Sequence, residues 1–474
     1  MKDNSSSLID SFSQFLSEKT AQKKESLQGK LISFSSELSN FNFENKLDSI
    51  LKSSENSFCF FSQDNKLSLI ALDQVFSITE NGPARFINAD KKIKELSGKF
   101  ISNVDDISLP LFVGGMKFTI EHSDDDWKDF NDSTWFIPEI MICKTGGKTF
   151  ITYNYYVEQG LSKTKLTEKF KNKLETLLNI NEADKHSFPR IINSSGLSPK
   201  DRKKWKQIIN LALDKIHDRE VSKIVIARKV ELILSEEINL TITLQTLRND
   251  YPECCLFAYH KGNSTFFGIT PELLARVSVN KIEADAIAGS NNRSTSAAED
   301  SKLEADLLNS KKDLDEHQYV LNHFTSAFKK FSENITFNAK PSVKKLKNIR
   351  HLLTKITADL KDDASLMNIL KELHPTPAVC GYPKDAALNL IKKIENQKRG
   401  LYSGIVGWFN LNVKGEFAVS IRSAISRGNK LTAYAGSGIV EGSTPDAEFE
   451  ETEMKLKPIL SLFSERPAGN EKKD

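Results

Sequence analysis

The spacing of apolar residues divides the chain into blocks of strands and blocks of helices. Helical spacing between residues 8 and 16 predicts a helix, followed by a connection up to about residue 45. From about residue 57 to 156, short apolar or alternating runs predict strands, the last two forming a hairpin with a Gly-Gly turn. Lys- and Glu-rich helical spacing over 162–183 then predicts a helix.

The second half repeats this separation into blocks. Ser198 and Pro199 suit the cap and first turn of a helix. Short turns then join predicted strands into an antiparallel meander; these strands are 223–234, 255–262, 264–270, 275–279 and 281–290. Ala297 to Phe331 is predicted as one long helix, and two shorter helices are predicted at 364–371 and 384–397. Because strands and helices do not alternate one by one, the predicted class is α+β.

Composition narrows the functional class only by exclusion. Lys and Arg total 66 and Asp and Glu total 63, so net charge favours neither nucleic acid nor an anionic membrane. No apolar run approaches the ~20 residues that span a bilayer, and the first residues lack the apolar region of a secretory signal. The 5 cysteines include no CxxC pair. We therefore expect a cytoplasmic protein that binds neither nucleic acid nor membrane.

A Gly-Ser-Gly run near the C-terminus is the first candidate for a ligand site. Gly436 and Gly438 would let a loop approach a ligand closely, and Ser-Thr-Pro at 443–445 predicts a hydroxyl-capped helix start. In that helix Glu448, Glu451 and Lys455 would share one face. A surface turn with a solvated acidic helix explains the same pattern equally well.

Two ionisable residues flank predicted strands and could act as base and acid. Lys223 begins the apolar strand KIVIAR and is either a surface lysine or a desolvated general base. Glu272 follows a strand in GITPELLAR. It is either part of a turn or a carboxylic acid whose pKa is raised by its apolar neighbours, so that it can donate a proton.

Two further charged positions suggest a metal ion and an anionic substrate. Glu316 lies mid-helix in KKDLDEHQYV and, with Glu448 and Glu451, could supply oxygen ligands for Mg²⁺, if the two helices meet. A solvated helix face is the alternative. Arg422 interrupts the apolar run FAVSIRSAI, where it could bind a substrate carboxylate or a structural partner. Together these residues predict a Mg²⁺-dependent enzyme acting on a small carboxylate.

Eight motifs resemble, in order and spacing, the chorismate-utilising enzymes, a family that includes isochorismate, anthranilate, aminodeoxychorismate and salicylate synthases. The motifs are KIVIAR, FGITPELLAR, AIAGS, DEHQYV, LHPTPAVCGYP, GLYSGIVGW, FAVSIRSA and AYAGSGIVEGSTPDAEFEET. The resemblance implies two layers of mainly antiparallel sheet flanked by helices, with the active site in the central cleft. It further implies a catalytic domain over 198–465 and a strand-rich N-terminal half of the same fold over 46–190. We also expect an N-terminal helix and connection over 1–45 and a disordered tail over 466–474.

The resemblance also implies a role for each matching residue. Lys223 would activate the water that adds to ring carbon 2 of chorismate, and Glu272 would protonate the hydroxyl leaving ring carbon 4. Glu316 and Glu451 would bind Mg²⁺, with Glu448 in support. The residues expected to hold the substrate or line the metal end are Gly289, Ser290, Ala378, Tyr402, Arg422, Gly436, Gly438 and Lys455.

Three positions select one activity within the family. Ammonia-using anthranilate enzymes carry Gln where Lys223 stands, and the aminodeoxychorismate nucleophile, a lysine, is absent from 286–290. Enzymes that eliminate pyruvate typically carry Thr where Ala378 stands. We therefore expect Mg²⁺-dependent conversion of chorismate to isochorismate for menaquinone or phylloquinone synthesis, by a monomer or weak homodimer. The alternatives are salicylate synthesis, a siderophore-pathway isochorismate synthase, or a catalytically silent chorismate-binding subunit.

Overall fold

The computed structural model describes residues 2–22, 27–39, 41–103, 109–120, 125–158, 162–181, 187–362 and 364–464. The predicted tail at 466–474 lies outside these residues. Within the described chain no helix has the length and apolar character needed to cross a membrane.

The helices stand between groups of strands, as the α+β prediction requires. They are α1 (Lys2–Gln22), α2 (Leu47–Lys52), α3 (Arg85–Ser97), α4 (Lys163–Leu178), α5 (Pro199–His217), α6 (Leu240–Asp250), α7 (Ala297–Asn309), α8 (Lys311–Phe331), α9 (Leu366–Leu373), α10 (Lys384–Ile394) and α11 (Pro445–Leu460). A single 3₁₀ turn, Glu44–Lys46, precedes α2. Ser198 caps α5 and Pro199 occupies its first position, as predicted.

The strands of the first half are β1 (Leu31–Glu37), β2 (Asn56–Phe61), β3 (Leu67–Leu72), β4 (Phe76–Glu80), β5 (Phe100–Ser102), β6 (Phe112–Met116), β7 (Ser133–Ile137), β8 (Ile140–Thr145) and β9 (Lys148–Tyr156). Those of the second half are β10 (Ile191–Ser195), β11 (Lys223–Leu234), β12 (Cys255–Lys261), β13 (Ser264–Thr270), β14 (Leu273–Ser278), β15 (Lys281–Asn292), β16 (Ser332–Phe337), β17 (Ser342–Lys345), β18 (Ile349–Leu360), β19 (Gly381–Tyr382), β20 (Ile405–Phe409), β21 (Gly415–Val419), β22 (Ser423–Arg427) and β23 (Lys430–Ile439).

Two large sheets form the molecule, and each combines strands from both halves of the chain. The 13-stranded sheet runs β10-β11-β23-β22-β13-β12-β2-β3-β8-β9-β1-β5, with β19 beside β11. The 10-stranded sheet runs β16-β18-β15-β14-β21-β20-β6-β7-β4, with β17 beside β18. Adjacent strands are antiparallel except β1 and β5. The segment predicted as a connection before residue 45 contains β1, which pairs with β9 over its whole length.

Aromatic side chains fill the space between the two sheets. Side chains alternate along a strand, so β2 directs Phe58 and Phe60 into this inter-sheet core and Cys59 and Phe61 into the core under the flanking helices. Trp408 of the 10-stranded sheet meets them from the opposite side. The expected layered architecture is therefore confirmed, and both faces of the central strands are buried.

Two predicted elements are divided in the structure. The helix predicted from Ala297 to Phe331 breaks at Ser310, whose extended backbone ends α7 and whose hydroxyl accepts the amide of Asp313 to cap α8. The predicted meander is also wrong as a single sheet. The hairpin β12–β13 belongs to the larger sheet and the hairpin β14–β15 to the smaller one, so the chain changes sheets at residues 271–272.

Candidate active site

A cleft between the two sheets collects most of the predicted site residues. All of them line it except Lys223 and Glu448, which lie directly behind its wall. The lining residues that the sequence singled out are Glu272, Gly289, Ser290, Glu316, Ala378, Tyr402, Arg422, Gly436, Gly438, Glu451 and Lys455. Both sheets, helices α8 and α11, and four connecting segments therefore contribute to one site.

Glu272 and Arg422 occupy two of the points at which the chain passes between the sheets. Glu272 joins β13 of the larger sheet to β14 of the smaller one, and Arg422 lies where β21 of the smaller sheet gives way to β22 of the larger. Arg422 was predicted within a strand, but it lies between two strands with φ of 52°. A backbone that leaves one sheet for another can direct a side chain into the space between them.

The Glu272 carboxyl group is almost completely buried. Its side chain is 3% exposed, and Thr376 Oγ1 donates to its Oε1 over 3.4 Å. Burial raises the pKa of Glu272 to about 7, against the opposing charges of Lys223, Arg422 and Lys455. This carboxyl group is therefore substantially protonated near neutral pH and can donate a proton.

Lys223 is not the surface lysine of the alternative interpretation. It is fully buried at the start of β11, and its Nζ lies 2.9 Å from Glu316 Oε1 on α8. Gly438 of the adjacent strand makes this contact possible, because a Cβ at that position would lie 2.5 Å from Glu316 Oε1 and 3.1 Å from Lys223 Cε. The glycine is required by the close approach of two charged side chains rather than by a turn.

Glu448 and Glu451, the two carboxylates of α11 predicted to act at the metal, differ in their surroundings. Glu448 is 1% exposed, and its oxygens accept hydrogen bonds from Lys312 Nζ at 2.9 Å and from Ser437 Oγ. Glu451 faces the cleft and pairs with Lys455 one turn later. Burial and the charge of Glu451 raise the pKa of Glu448. Burial alone would also raise the pKa of Glu451, but Lys455, Lys312 and Arg422 outweigh it and lower that pKa.

The Gly-Ser-Gly run predicted as a loop lies in a strand. Gly436, Ser437 and Gly438 belong to β23 and pair in register with β11. Gly289 and Ser290 lie in β15, at a bulge opposite β18. The helix after β23 begins with Pro445 as predicted, but the Thr444 hydroxyl makes no capping hydrogen bond.

Gly289 needs its glycine for two reasons. Its φ is +75°, and a Cβ there would lie 3.0 Å from Cβ of Asp313 on α8. Asp313 in turn accepts the amide of Ser290 at 3.3 Å. The bulge therefore brings the backbone of β15 against α8, one turn before Glu316.

Arg422 and Tyr402 form the wall of the cleft beside β23. The buried Arg422 guanidinium lies 3.3 Å from His351 Nε2, and within the described residues no carboxylate is close enough to form an ion pair with it. Tyr402 stacks on Tyr434 with ring centroids 5.2 Å apart. Lys455 Nζ donates to the carbonyl of Gly436 at 3.1 Å. The arrangement leaves the guanidinium available for an anionic ligand.

Sequence reasoning missed three contributors to this site. His351 lines the cleft from β18, and burial with the charges of Arg422 and Lys455 lowers its pKa well below the usual value, so the ring is neutral at pH 7. Asp313 and Lys312 hold Ser290 and Glu448 respectively. The Ser-x-x-Asp pattern at 310–313 was an available helix-start signal, whereas a lone histidine in an apolar strand carries no comparable signal.

Comparisons with known proteins identify the family to which the chain is similar. The pattern that defines the chorismate binding enzymes matches residues 14–464. The isochorismate synthase MenF of Bacillus subtilis (strain 168) is 29% identical over 435 residues, which span 90% of this chain and 90% of that protein. The salicylate biosynthesis isochorismate synthase of Pseudomonas aeruginosa is 28% identical over 409 residues, or 86% and 85% of the two chains.

A solved structure shares the fold over almost the whole chain. The menaquinone-specific isochorismate synthase MenF of Escherichia coli superposes with a TM-score of 0.78 at 22% identity, covering 92% of this chain and 95% of that one. The architecture, the cleft and the match across residues 14–464 lead to one conclusion. The chain belongs to the family of chorismate-binding enzymes.

Proposed function

We propose that this enzyme is a Mg²⁺-dependent isochorismate synthase. The observation that carries the proposal is the pairing, at one cleft, of a buried lysine and a buried carboxylic acid whose pKa is raised to about 7. Groups placed in this way can act as separate base and acid on one small substrate. The names of the Bacillus and Pseudomonas relatives support the same activity.

In the proposed reaction a water molecule adds and another leaves. Lys223 acts as the neutral amine and takes a proton from the attacking water, whose oxygen forms a bond to ring carbon 2 of chorismate. The ring double bonds shift, the bond between carbon 4 and its hydroxyl oxygen breaks, and Glu272 supplies the proton with which that hydroxyl leaves as water. Substrate and product are therefore isomers. Lys223 ends protonated and Glu272 ionised, so one proton must return before the next turnover.

The remaining cleft residues would hold the substrate. Arg422 and Lys455 supply positive charge for its carboxylates. Tyr402 and the backbone of Gly436 and Gly438 would contact the enolpyruvyl arm. Gly289, Ser290 and Ala378 complete the wall around the ring.

The carboxylates present are chemically suited to Mg²⁺. The ion favours oxygen ligands and commonly uses one or two protein carboxylates, with water and substrate oxygens completing the shell. Glu316 and Glu451 both face the cleft from separate helices, whereas both oxygens of Glu448 are engaged by Lys312 and Ser437. Within the described chain no cluster of three or more His, Cys, Asp or Glu residues forms a metal site, so substrate and water would have to supply the rest. When bound, Mg²⁺ would hold the ring carboxylate and offset the negative charge of the two glutamates.

Product analysis tests the proposal and separates it from its alternatives. The purified protein is incubated with chorismate and Mg²⁺, and the products are resolved by chromatography and identified by NMR. We expect isochorismate, which has the mass of chorismate and so needs NMR for identification. Formation of salicylate and pyruvate would instead identify the enzyme as a salicylate synthase. Chorismate binding without turnover would indicate a silent binding subunit.

We further propose that isochorismate feeds quinone synthesis and that the enzyme is cytoplasmic, acting as a monomer or weak homodimer. The match to the Bacillus MenF spans 90% of each chain and supports the quinone pathway. The match to the Pseudomonas salicylate-pathway enzyme is almost as long, so a genetic test is used to distinguish the two pathways. Deletion of the gene should create a menaquinone or phylloquinone requirement, and a siderophore requirement alone would overturn the assignment. Light scattering at several concentrations tests the oligomeric state.

A further inference from the structure

The backbone beside the proposed acid is held by two side chains that lie outside the cleft lining. The carbonyl of Pro271 accepts hydrogen bonds from Gln63 Nε2 at 2.6 Å and from Lys344 Nζ at 2.7 Å. Gln63 follows β2 in the first half of the chain, and Lys344 lies on β17. Two distant segments therefore converge on the peptide group that joins Pro271 to Glu272.

That peptide group lies at the point where the chain changes sheets. Proline has no N–H, so Pro271 cannot donate to a sheet ladder. On its other side Glu272 is well anchored, since its amide donates to Thr270 Oγ1 at 3.2 Å and its carbonyl accepts the amide of Val419 at 3.1 Å. The Pro271 carbonyl is the remaining polar group of this crossing, and Gln63 and Lys344 satisfy it.

Lys344 differs from an ordinary surface lysine in its burial and its contacts. Its side chain is only 9% exposed, and its Nζ also lies 3.9 Å from the buried Asp285 carboxylate on β15. The same strand carries Gly289 and Ser290 into the cleft. The adjacent Lys345 is 47% exposed and pairs with Glu304 on the surface, so the strand offers a matched control.

We propose that Lys344, assisted by Gln63, is a positioning residue for the acid Glu272. The ammonium group fixes the Pro271 carbonyl from behind the cleft wall, and this holds the following carboxyl group in its place opposite the substrate. Displacement of a reacting group by about 1 Å can cost on the order of a hundredfold in rate. The inference rests on the proposed isochorismate synthase activity, because it assigns a role to a residue acting through Glu272.

The test compares Lys344→Met, Lys344→Arg, Gln63→Met and the control Lys345→Met in the full chain with chorismate and Mg²⁺. Lys344→Met should lower kcat about tenfold or more, with the KM for chorismate within about twofold of the wild type. Lys344→Arg keeps a charged donor and should restore most of the loss. Gln63→Met should show a smaller loss of kcat, and Lys345→Met should match the wild type.

The pH profile distinguishes positioning of Glu272 from general support of the fold. The cations facing Glu272 are Lys223, Arg422 and Lys455. These charges lower the pKa of Glu272 and burial raises it, so the pKa changes if the carboxyl group moves. The pH at which kcat begins to fall should therefore shift by about 0.5 pH unit or more in Lys344→Met. Melting temperatures measured alongside show how far each variant is destabilised.

Several outcomes would overturn the inference. It is wrong if the wild type forms isochorismate and Lys344→Met retains both the wild-type kcat and the wild-type pH at which kcat begins to fall. It is also wrong if Lys344→Met has a lower kcat, a higher KM and a lower melting temperature while kcat still falls at the same pH as in the wild type. Failure of Lys344→Arg to recover activity would overturn it as well. If Lys344→Met does not fold, the same criteria apply to Gln63→Met. A wild type that forms no isochorismate would instead reject the proposed function, and this inference with it.

Discussion

Glu272 and Lys223 show how burial determines what a side chain can do. A carboxyl group in water is ionised at neutral pH and cannot act as an acid, but burial raises the pKa of Glu272 to about 7. Lys223 is equally buried and lies beside Glu316 rather than solvent. The same two residue types on an open surface would carry no comparable chemistry.

Replacement of Glu272 tests the acid directly. Because Glu272 must be protonated to act, we expect kcat to fall about tenfold per pH unit above the pKa of about 7. Glu272→Gln should lose at least about a hundredfold in kcat. Steady-state rates between pH 5 and 9 provide both measurements. Near-normal turnover in Glu272→Gln would remove this residue as the acid.

Replacement of Lys223 tests the base. A glutamine at this position cannot accept a proton from water, so Lys223→Gln should reduce isochorismate formation by a factor on the order of 10²–10⁴. Lys229→Gln, on the same strand but partly exposed and paired with Asp126 and Glu231, should retain activity. Activity of Lys223→Gln equal to that of the control would assign the base elsewhere.

The identity of the charged residues was the feature of the site most readily predicted from the sequence. Lys223, Glu272 and Arg422 could be selected because a charge in or beside an apolar strand needs a special explanation. Their environments could not be read in the same way. The neutral His351 beside Arg422, and the Lys344 that holds Pro271, depend on contacts between segments far apart in the chain.

Strand β23 and helix α11 both place residues in the cleft. The glycines at 436 and 438 sit in a fully paired strand, where their absent side chains leave room for Tyr402 and for the Lys223–Glu316 contact. Helix α11 follows immediately and presents one glutamate to the cleft and another to the strand behind it. In the proposed function, the strand would contact the substrate and the helix would supply a ligand to the metal.

A methyl group at Gly438 should disrupt the site without changing its charges. In Gly438→Ala the new Cβ would meet Glu316 Oε1 at 2.5 Å, so the Lys223–Glu316 pair must move. We expect kcat/KM to fall by about tenfold or more. Gly98→Ala, where the added Cβ meets no atom within 4 Å, is the control. A Gly438→Ala enzyme as active as Gly98→Ala would show that this close packing is not needed.

Glu448 and Glu451 of α11 should respond differently to loss of charge. Glu451→Gln is expected to raise the Mg²⁺ concentration for half-maximal activity by about tenfold or more, because it removes a proposed ligand. Glu448→Gln should affect Mg²⁺ less and stability more, since it leaves Lys312 facing a neutral amide in a buried setting. Mg²⁺ titrations with thermal unfolding provide the comparison. An equal or larger Mg²⁺ effect in Glu448→Gln would reverse the assignment.

The positions of individual strands were predicted better than the pairing between strands. The strands around residues 223–234 and 264–270 occur where the alternation placed them, but strand pairing is a long-range property that periodicity does not encode. The single meander was therefore wrong, and the Gly-Ser-Gly run was taken for a loop because glycine is more typical of turns than of a strand packed against charged side chains.

Across the whole molecule, the site exists because two interleaved sheets face each other. Strands of the first half complete both sheets, with β2 pairing to β12 and β6 to β20. The proposed catalytic residues of the second half therefore depend on the first half for their support. The chain passes between the sheets beside Glu272 and again at Arg422, which brings both to the cleft. The overall class followed from the separation of strands and helices, whereas the cleft could be anticipated only from the family resemblance.

The origin of the new hydroxyl group tests the central claim most directly. Chorismate is converted by the purified enzyme with Mg²⁺ in water enriched in ¹⁸O, and the isochorismate formed is analysed by mass spectrometry and NMR before equilibrium is reached. If Lys223 activates a solvent water and Glu272 expels the original hydroxyl, each product molecule carries one labelled oxygen, at ring carbon 2. Isochorismate without the label, or no isochorismate at all, would contradict the account.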